Sequence, residues 1–415
     1  MVKHVVLFYE HKVRELKALE ELKRCIVQRS KGSVEVEILQ YDFEWLKGVK
    51  SARIHGIDAV VVPYIYSDVP DYDAVAPFRH INEDCKVINL HHEQIASPVN
   101  EATQLPHGSL ACNGCYHLVW GERYAGSLEA LGIDRSLIFP VGNMRLEPVD
   151  PSQRVKNREL LSDRYGLDTQ KKWVIYCEGR LESYPSEEVR VNHPFFGSLE
   201  REEYVNWCDL QTGSLSMTYE QLSMLTDSFF DECELIYRPH PGTNLSHVLR
   251  DEILTCCEMP ISIWISACDL VVVWNSTTAL EANALSVPAV RHEPVENPKR
   301  YQTFGLSNFP FIKSLDSLSA AFIESQATLQ RNQKWYLPYY GNLDGRAVER
   351  AASTIVNLLD CSTTLDTSSW DTRTKRAYCH RCLRNSVGNL FTKTGLVRLT
   401  HWPKEAWEHI ADYPG

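Results

Sequence analysis

The chain has no run approaching the roughly 18 uninterrupted apolar residues that a membrane-spanning helix needs, so no span is expected. It also lacks a basic excess. Its net charge is −11, which argues against a protein whose work is gripping nucleic acid. An anionic small ligand remains compatible, because a pocket can be basic within an acidic chain. The opening residues, Met1 to Glu10, hold an apolar run too short for a signal-peptide core, and they read as a first strand. A cytosolic chain, at most peripheral to a membrane, is expected. No disulfide framework is visible. The 13 cysteines are odd in number, and Cys25, Cys177 and Cys268 sit in apolar runs where a reduced thiol behaves as a small hydrophobe. Two CxxC pairs occur, Cys112/Cys115 and Cys379/Cys382, but their separation is far outside zinc-ribbon spacing, so free thiols are expected. No solenoid-type repeat is present.

What is there is globular. With 415 residues, 44% hydrophobic and 23% charged, the chain is long enough for two domains. Strand-like runs alternate with helical spacing through the first third: residues 4–9, 34–39, 58–66, 86–90, 116–121 and 137–142 read as strands, with an amphipathic helix over 15–29. After a charged, proline-bearing stretch (146–168) the rhythm restarts with "WVIYCEG" (173–179), a helix over 218–232, "ELIYR", and "CDLVVVWNSTTALEANALSVPAV" (268–290). Strands alternating with helices imply mostly parallel, doubly wound sheets. The expected class is α/β, with two Rossmann-like domains over 1–150 and 151–360 and a polar, linker-like segment from 361. The end of that segment carries aromatics suited to packing back on the body.

Ligands of open parallel sheets bind beyond the carboxyl ends of the strands, so the strand tips are the places to search. "LIYRPHPGTN" leaves its strand at Arg238, whose planar fork suits phosphate oxygens. Pro239 and Pro241 restrict the backbone around His240, and Gly242 allows close approach of backbone to a ligand. A stiff, solvated turn is the bland alternative. "WNSTTALE" offers Asn275, Ser276 and Thr277 at a helix start, a ready anion site, with Glu281 one turn further in. An ordinary capping box would look the same. In the first half, "YEHKVRE" (9–15) gives Glu10, His11 and Arg14, "NLHHEQ" (89–94) gives His92 and Glu93, and "VGNMR" (141–145) gives Asn143. Successive strand residues point to opposite faces, so the histidine pair is not expected to bind a metal. Each of these segments also reads as a solvated charged loop.

The two Rossmann-like halves, with "RPHPG" and then "NSTTALEANALSVPAV", resemble glycosyltransferases of the GT-B fold. The His-Pro corner followed by a Ser/Thr-rich tip is similar to the pattern in bacterial sialyltransferases, Kdo transferases and CDP-glycerol glycerophosphotransferases. "YEHKVREL", "LHHEQ" and "VGNMR" resemble surface carbohydrate biosynthesis proteins. The resemblance implies two domains facing across a cleft. It also implies a CMP-sugar or CDP-alcohol donor, His240 and Asn275–Thr277 at its phosphate, and a leaving group stabilised without a metal or other cofactor. The chain departs from many relatives in carrying Asn-Ser-Thr-Thr where they have paired serines.

On this basis the leading expectation is transfer of a Kdo-like or sialic-type sugar from a CMP-activated donor to a surface-glycan acceptor. Arg180, Arg238, His240, Pro241, Gly242, Asn275, Ser276, Thr277 and Glu281 would bind the donor. Glu10, His92 and Glu93 are the catalytic candidates by position, and His11, Arg14 and Asn143 the acceptor-side candidates. The alternatives are a CDP-glycerol or CDP-ribitol phosphotransferase, a nucleotide-sugar epimerase, and a non-catalytic nucleotide-sugar-binding scaffold.

Overall fold

A computed structural model describes residues 2–10, 12–146, 151–180, 201–240, 249–256, 258–330, 334–361, 365, 376, 379, 381–383 and 386. Val, Ile and Leu runs form two wholly parallel sheets. The first contains β1 (Lys3–Tyr9), β2 (Val34–Gln40), β3 (Ala59–Val62), β4 (Lys86–Asn89), β5 (Tyr116–Val119) and β6 (Ile138–Pro140), in the order β2-β1-β3-β4-β5-β6. The second contains β7 (Lys172–Cys177), β8 (Cys233–Arg238), β9 (Ile253–Thr255), β10 (Leu270–Val273), β11 (Ala289–His292) and β12 (Phe311–Ile312), in the order β12-β11-β10-β7-β8-β9. The fold is therefore α/β with two Rossmann-like units, as the alternating pattern predicts. No described helix is long and apolar enough to cross a membrane.

The chain divides into a unit of Met1–Gln94, Gln104–Glu147 and Pro338–Gly415 and a unit of Ile95–Thr103 and Pro148–Leu337. The second half was expected to run to residue 360. Instead the chain returns to the first unit at Pro338. The cause is a helix, Ala347–Leu359, whose face of Val348, Ala351, Ala352, Ile355 and Leu358 is buried with Val5, Leu7, Leu19, Leu22 and Ile26. Leu19, Leu22 and Ile26 belong to α1 (Lys17–Arg29). Each buried Val, Ile or Leu side chain contributes about 1.5–3 kcal/mol, so this face specifies where the helix docks. Of the segment beyond 361, Cys382 packs on the first unit's other apolar cluster, and Arg381 lies 4.4 Å over the Tyr41 ring.

Most strands end one or more residues before their sequence patterns do, and two of these endings bear on the site. β3 stops at Val62 because Pro63 has no N–H for the ladder, and residues 64–66 become a tip. β7 stops at Cys177, leaving Glu178–Arg180 beyond the sheet. β9 lies between the His240 corner and residue 268, where the sequence pattern assigns no strand.

Candidate functional site

In the first unit, β1 is followed by β2 on one side and β3 on the other, so the strand order reverses between the tips of β1 and β3. Such reversals open a crevice at the carboxyl edge. Glu10 leaves β1 there. A wide π-type turn, Lys12–Leu16, carries the chain into α1 and brings Glu15 back beneath it, where Glu15 Oε2 accepts the Glu10 N–H at 2.8 Å. Glu15 is 7% exposed, and its Oε1 is buried with no hydrogen-bond partner among the described residues.

His92 arrives from β4. Asn89 at the strand end accepts the His91 N–H at 3.0 Å, and His91 takes a left-handed conformation with φ 47°. That sharp turn sends His91 inward and His92 towards β1. The His92 amide donates to Pro63 O at 2.9 Å and its Nδ1 faces the same carbonyl at 3.3 Å. A carbonyl accepts only, so Nδ1 carries the proton and Nε2 offers a lone pair. His92 Nε2 lies 3.2 Å from Glu10 Oε2.

Burial pushes the Glu10 carboxyl up to about 8, reinforced by the charges of Glu15, Asp42 and Glu93 and opposed by Arg14. Burial also pushes the His92 ring down, against the pull of Glu93 and Glu15. The two are therefore bridged near neutrality by a proton on Glu10 rather than paired as ions.

The other first-unit candidates have these places. Glu93 Oε1 accepts from Arg14 Nη1 at 3.0 Å, so a catalytic and an acceptor-side candidate are paired with each other. Asn143 is buried and its Oδ1 takes the Arg145 N–H at 2.9 Å. Arg145 Nη2 donates to His92 O at 2.8 Å, and its guanidinium lies 4.6 Å from the Trp120 ring. His11 is outside the described residues. Glu15, Tyr64 and Tyr66 were not singled out. Tyr64 and Tyr66 stack at 5.3 Å, with the His92 ring 5.2 Å from Tyr64. The signal for them was available once β3 was ended at Pro63.

In the second unit, β7 lies between β10 and β8, and Cys177 is in register with both Val273 and Arg238. The two motif-bearing tips thus leave the sheet at one level, roughly 10 Å apart on either side of the β7 tip. That tip is closely fitted: a Cβ on Gly179 would lie 2.4 Å from Trp274 O.

Arg180 is corrected by the structure. It was expected to reach a donor carboxylate, but it is 0% exposed. Its Nε and Nη2 donate to the two oxygens of Glu178 at 2.6 Å each, Nη1 to Ser214 at 2.6 Å and Nη2 also to Thr218 at 3.0 Å. Its plane covers Trp274 at 4.6 Å. It holds the tip from beneath.

Asn275 is committed too. At φ 45° it donates from Nδ2 to Tyr301 O at 2.8 Å and accepts the Thr303 N–H at 2.7 Å, which ties the 301–303 loop to the β10 tip. Ser276 Oγ lies 2.9 Å from Thr278 Oγ1 and accepts the Thr278 N–H at 3.3 Å, starting the helix Thr278–Ala284. Thr277 and Glu281 are half-buried there. Arg238 donates to Glu258 O at 3.1 Å and Met259 O at 2.9 Å. Pro239 is buried and His240 half-exposed, while Pro241 and Gly242 lie outside the described residues.

No protein-family model matches this sequence, and no curated protein matches it. Solved structures do. The wall teichoic acid polymerase TagF, in a structure soaked with CDPG, is 11% identical over 87% of this chain and 88% of that one, with a TM-score of 0.51. The S. aureus MnaA–UDP structure is 12% identical over 89% and 100%, TM-score 0.50. The UDP-GlcNAc 2-epimerase of Methanocaldococcus jannaschii is 13% identical over 86% and 100%, TM-score 0.50. At these identities the likeness establishes the fold, two Rossmann-like units of the GT-B type.

Proposed function

We propose that this chain is a glycosyltransferase whose second unit binds a cytidine-activated donor, with a CMP-linked sugar of the Kdo or sialic type as the donor. The acceptor is a surface polysaccharide or lipopolysaccharide. The observation that carries the proposal is the placement of the Arg238–His240 corner and the Ser276–Thr277 tip at one level on either side of β7. A phosphate oxygen between them would meet the His240 ring, hydroxyls and backbone amides. Such preset donors stabilise charge as it develops on a leaving phosphate. The acceptor hydroxyl passes its proton to a base on the acceptor side, its oxygen bonds to the anomeric carbon as the bond from that carbon to the phosphate oxygen breaks, and CMP departs with the electron pair. The acceptor side is assigned to the first unit's tip, with Glu10, His92, Glu93, Arg14 and Asn143.

A second reading, transfer of an alcohol phosphate from a CDP-alcohol, draws support from the TagF structure described with CDPG. It uses the same corner and differs in which bond breaks.

Thermal shift against CMP, CDP, UDP and GMP separates a cytidine-activated donor from a UDP-sugar, and hydrolysis of a CMP-sugar against CDP-glycerol separates the two cytidine readings, since both release CMP. CMP is expected to raise the melting temperature and UDP to leave it unchanged. Stabilisation by UDP alone would replace the proposal with a UDP-sugar enzyme, and silence towards all four would leave a scaffold. His240→Ala is expected to abolish the CMP shift and CMP-sugar hydrolysis while preserving the circular dichroism spectrum. Retention of both by that variant would remove His240 from the donor site.

A further inference from the structure

We infer that Glu10, Glu15 and His92 form a binding site for a divalent first-row transition cation of the Mn2+ or Zn2+ kind, in the crevice between the β1 and β3 tips. One carboxylate oxygen from each acid and one ring nitrogen of His92 all lie within 4.8 Å of one another. Metal–ligand bonds of about 2.0–2.2 Å put neighbouring donor atoms roughly 3 Å apart. The Glu10 Oε2–His92 Nε2 separation of 3.2 Å already has that value.

The atoms around these donors are arranged as an outer shell. His92 Nδ1–H points at Pro63 O, which fixes the ring and leaves Nε2 to coordinate. Glu15 Oε2 is turned by the Glu10 amide. The independent observation is Glu15 Oε1. It is buried in a side chain 7% exposed and has no partner among the described residues. A buried carboxylate oxygen left unpaired is costly, and a cation is the partner that would satisfy it. Asp42 and Glu93 add negative charge around Glu10, with Arg14 in opposition, so the field also favours a cation.

Two oxygens and one imidazole nitrogen suit Mn2+ or Zn2+ better than Ca2+ or Mg2+, which prefer oxygen alone. Three protein ligands leave positions open for a hydroxyl or phosphate oxygen of a bound molecule. Local spacing concealed the set. Glu10 follows β1, Glu15 sits in the turn Lys12–Leu16 and His92 follows β4, so the set is brought together only by the strand order at one sheet edge. The resemblance to metal-free transferases concerns the donor phosphate in the second unit, and this site is in the first.

The test is Mn2+ binding to the metal-stripped full chain, followed by electron paramagnetic resonance and without nucleotide. One Mn2+ per chain is expected, weakened more than roughly tenfold in both Glu15→Gln and His92→Ala. The carboxamide oxygen of the Glu15→Gln variant can still accept the Glu10 amide, so this variant is expected to keep the wild-type melting temperature. Electron spin-echo modulation from one imidazole nitrogen, read on the wild-type protein, gives a second measurement that needs no variant. Absence of that nitrogen signal, absence of stoichiometric binding, or binding unchanged in both variants would overturn the site, the last assigning Mn2+ to other surface acids of this acidic chain. Because nucleotide is left out, failure here is distinguishable from failure of the donor reading, which thermal shift decides.

Discussion

Arg180 has no exposed surface, and the Glu178 side chain beneath it is 1% exposed. A charge pair taken out of water this completely is held by geometry, with Ser214 and Thr218 satisfying the remaining donors. Arg180→Ala is expected to lower the unfolding free energy by about 3–5 kcal/mol, because it strands the Glu178 carboxylate. Denaturant unfolding measures this, and a loss under about 1 kcal/mol would mean that the pair does not hold the tip. At this scale the sequence was legible in residue type and illegible in direction. An arginine after "CEG" reads equally as a ligand contact or a solvated loop. Two of its partners, Ser214 and Thr218, sit on a helix, Arg201–Ser223, that no local pattern connects to it. Asn275 is a similar case. It was recognised as belonging to a strand tip, but its amide is used on Tyr301 and Thr303, a contact that depends on a distant loop.

The helix Ala347–Leu359 is where element-scale reading stopped short. Its apolar spacing is regular, but spacing alone does not say which sheet it covers. Ile355 is fully buried in the cluster with Val5 and Leu22. Ile355→Ala is expected to destabilise the first unit by about 2–5 kcal/mol through lost burial and the cavity left behind. A denaturant titration in which the first unit's transition moved by less than about 0.5 kcal/mol would contradict this docking. The strands were the most legible elements, since near-continuous Val and Ile runs between polar segments leave little alternative to buried parallel strands. β9 escaped because Ile253–Thr255 is too short to show a period. The overrun of β3 had a visible cause in Pro63.

His117 in the first unit and His292 in the second are both buried, so the whole molecule should respond to acid in both halves. Burial pushes His117 down to about 4. Burial, then Arg180, pushes His292 down to about 3. His117 Nε2 donates to Cys112 O at 2.8 Å while its Nδ1 lies 2.8 Å from His91 Nε2, a contact that needs one of the two facing nitrogens unprotonated, and His292 Nδ1 lies 2.9 Å from Tyr176 OH. In the unfolded chain both would take up a proton near the ordinary value of about 6.5. The folded pKa is depressed, so the stability is complete above about pH 6.5 and is lost as pH falls, down to about 4 and 3. Between pH 7 and pH 5 each ring should cost about 2 kcal/mol of unfolding free energy. Urea midpoints measured across that range test it, and His117→Asn should lower the first unit's slope without abolishing it, because His91, also pushed down by burial, adds to that slope and Glu10, pushed up to about 8, opposes it. A first-unit slope unchanged by His117→Asn would mean that this ring is not held neutral. The α/β class and the two-unit plan were readable from the alternation of elements. The grouping of Glu10 and Glu15 with His92 was not, because it depends on the order of strands within a sheet.

The return of Pro338 onward to the first unit has a consequence for biosynthesis. A ribosome delivers β1 and α1 first and their covering helix only after the intervening unit has been made. At ordinary elongation rates the Leu19, Leu22 and Ile26 stripe waits on the order of tens of seconds without its partner. During that interval the nascent chain presents an apolar surface to chaperones and to other copies. Premature termination before residue 347 would leave that surface permanently uncovered and would yield an aggregating fragment rather than a shorter folded chain.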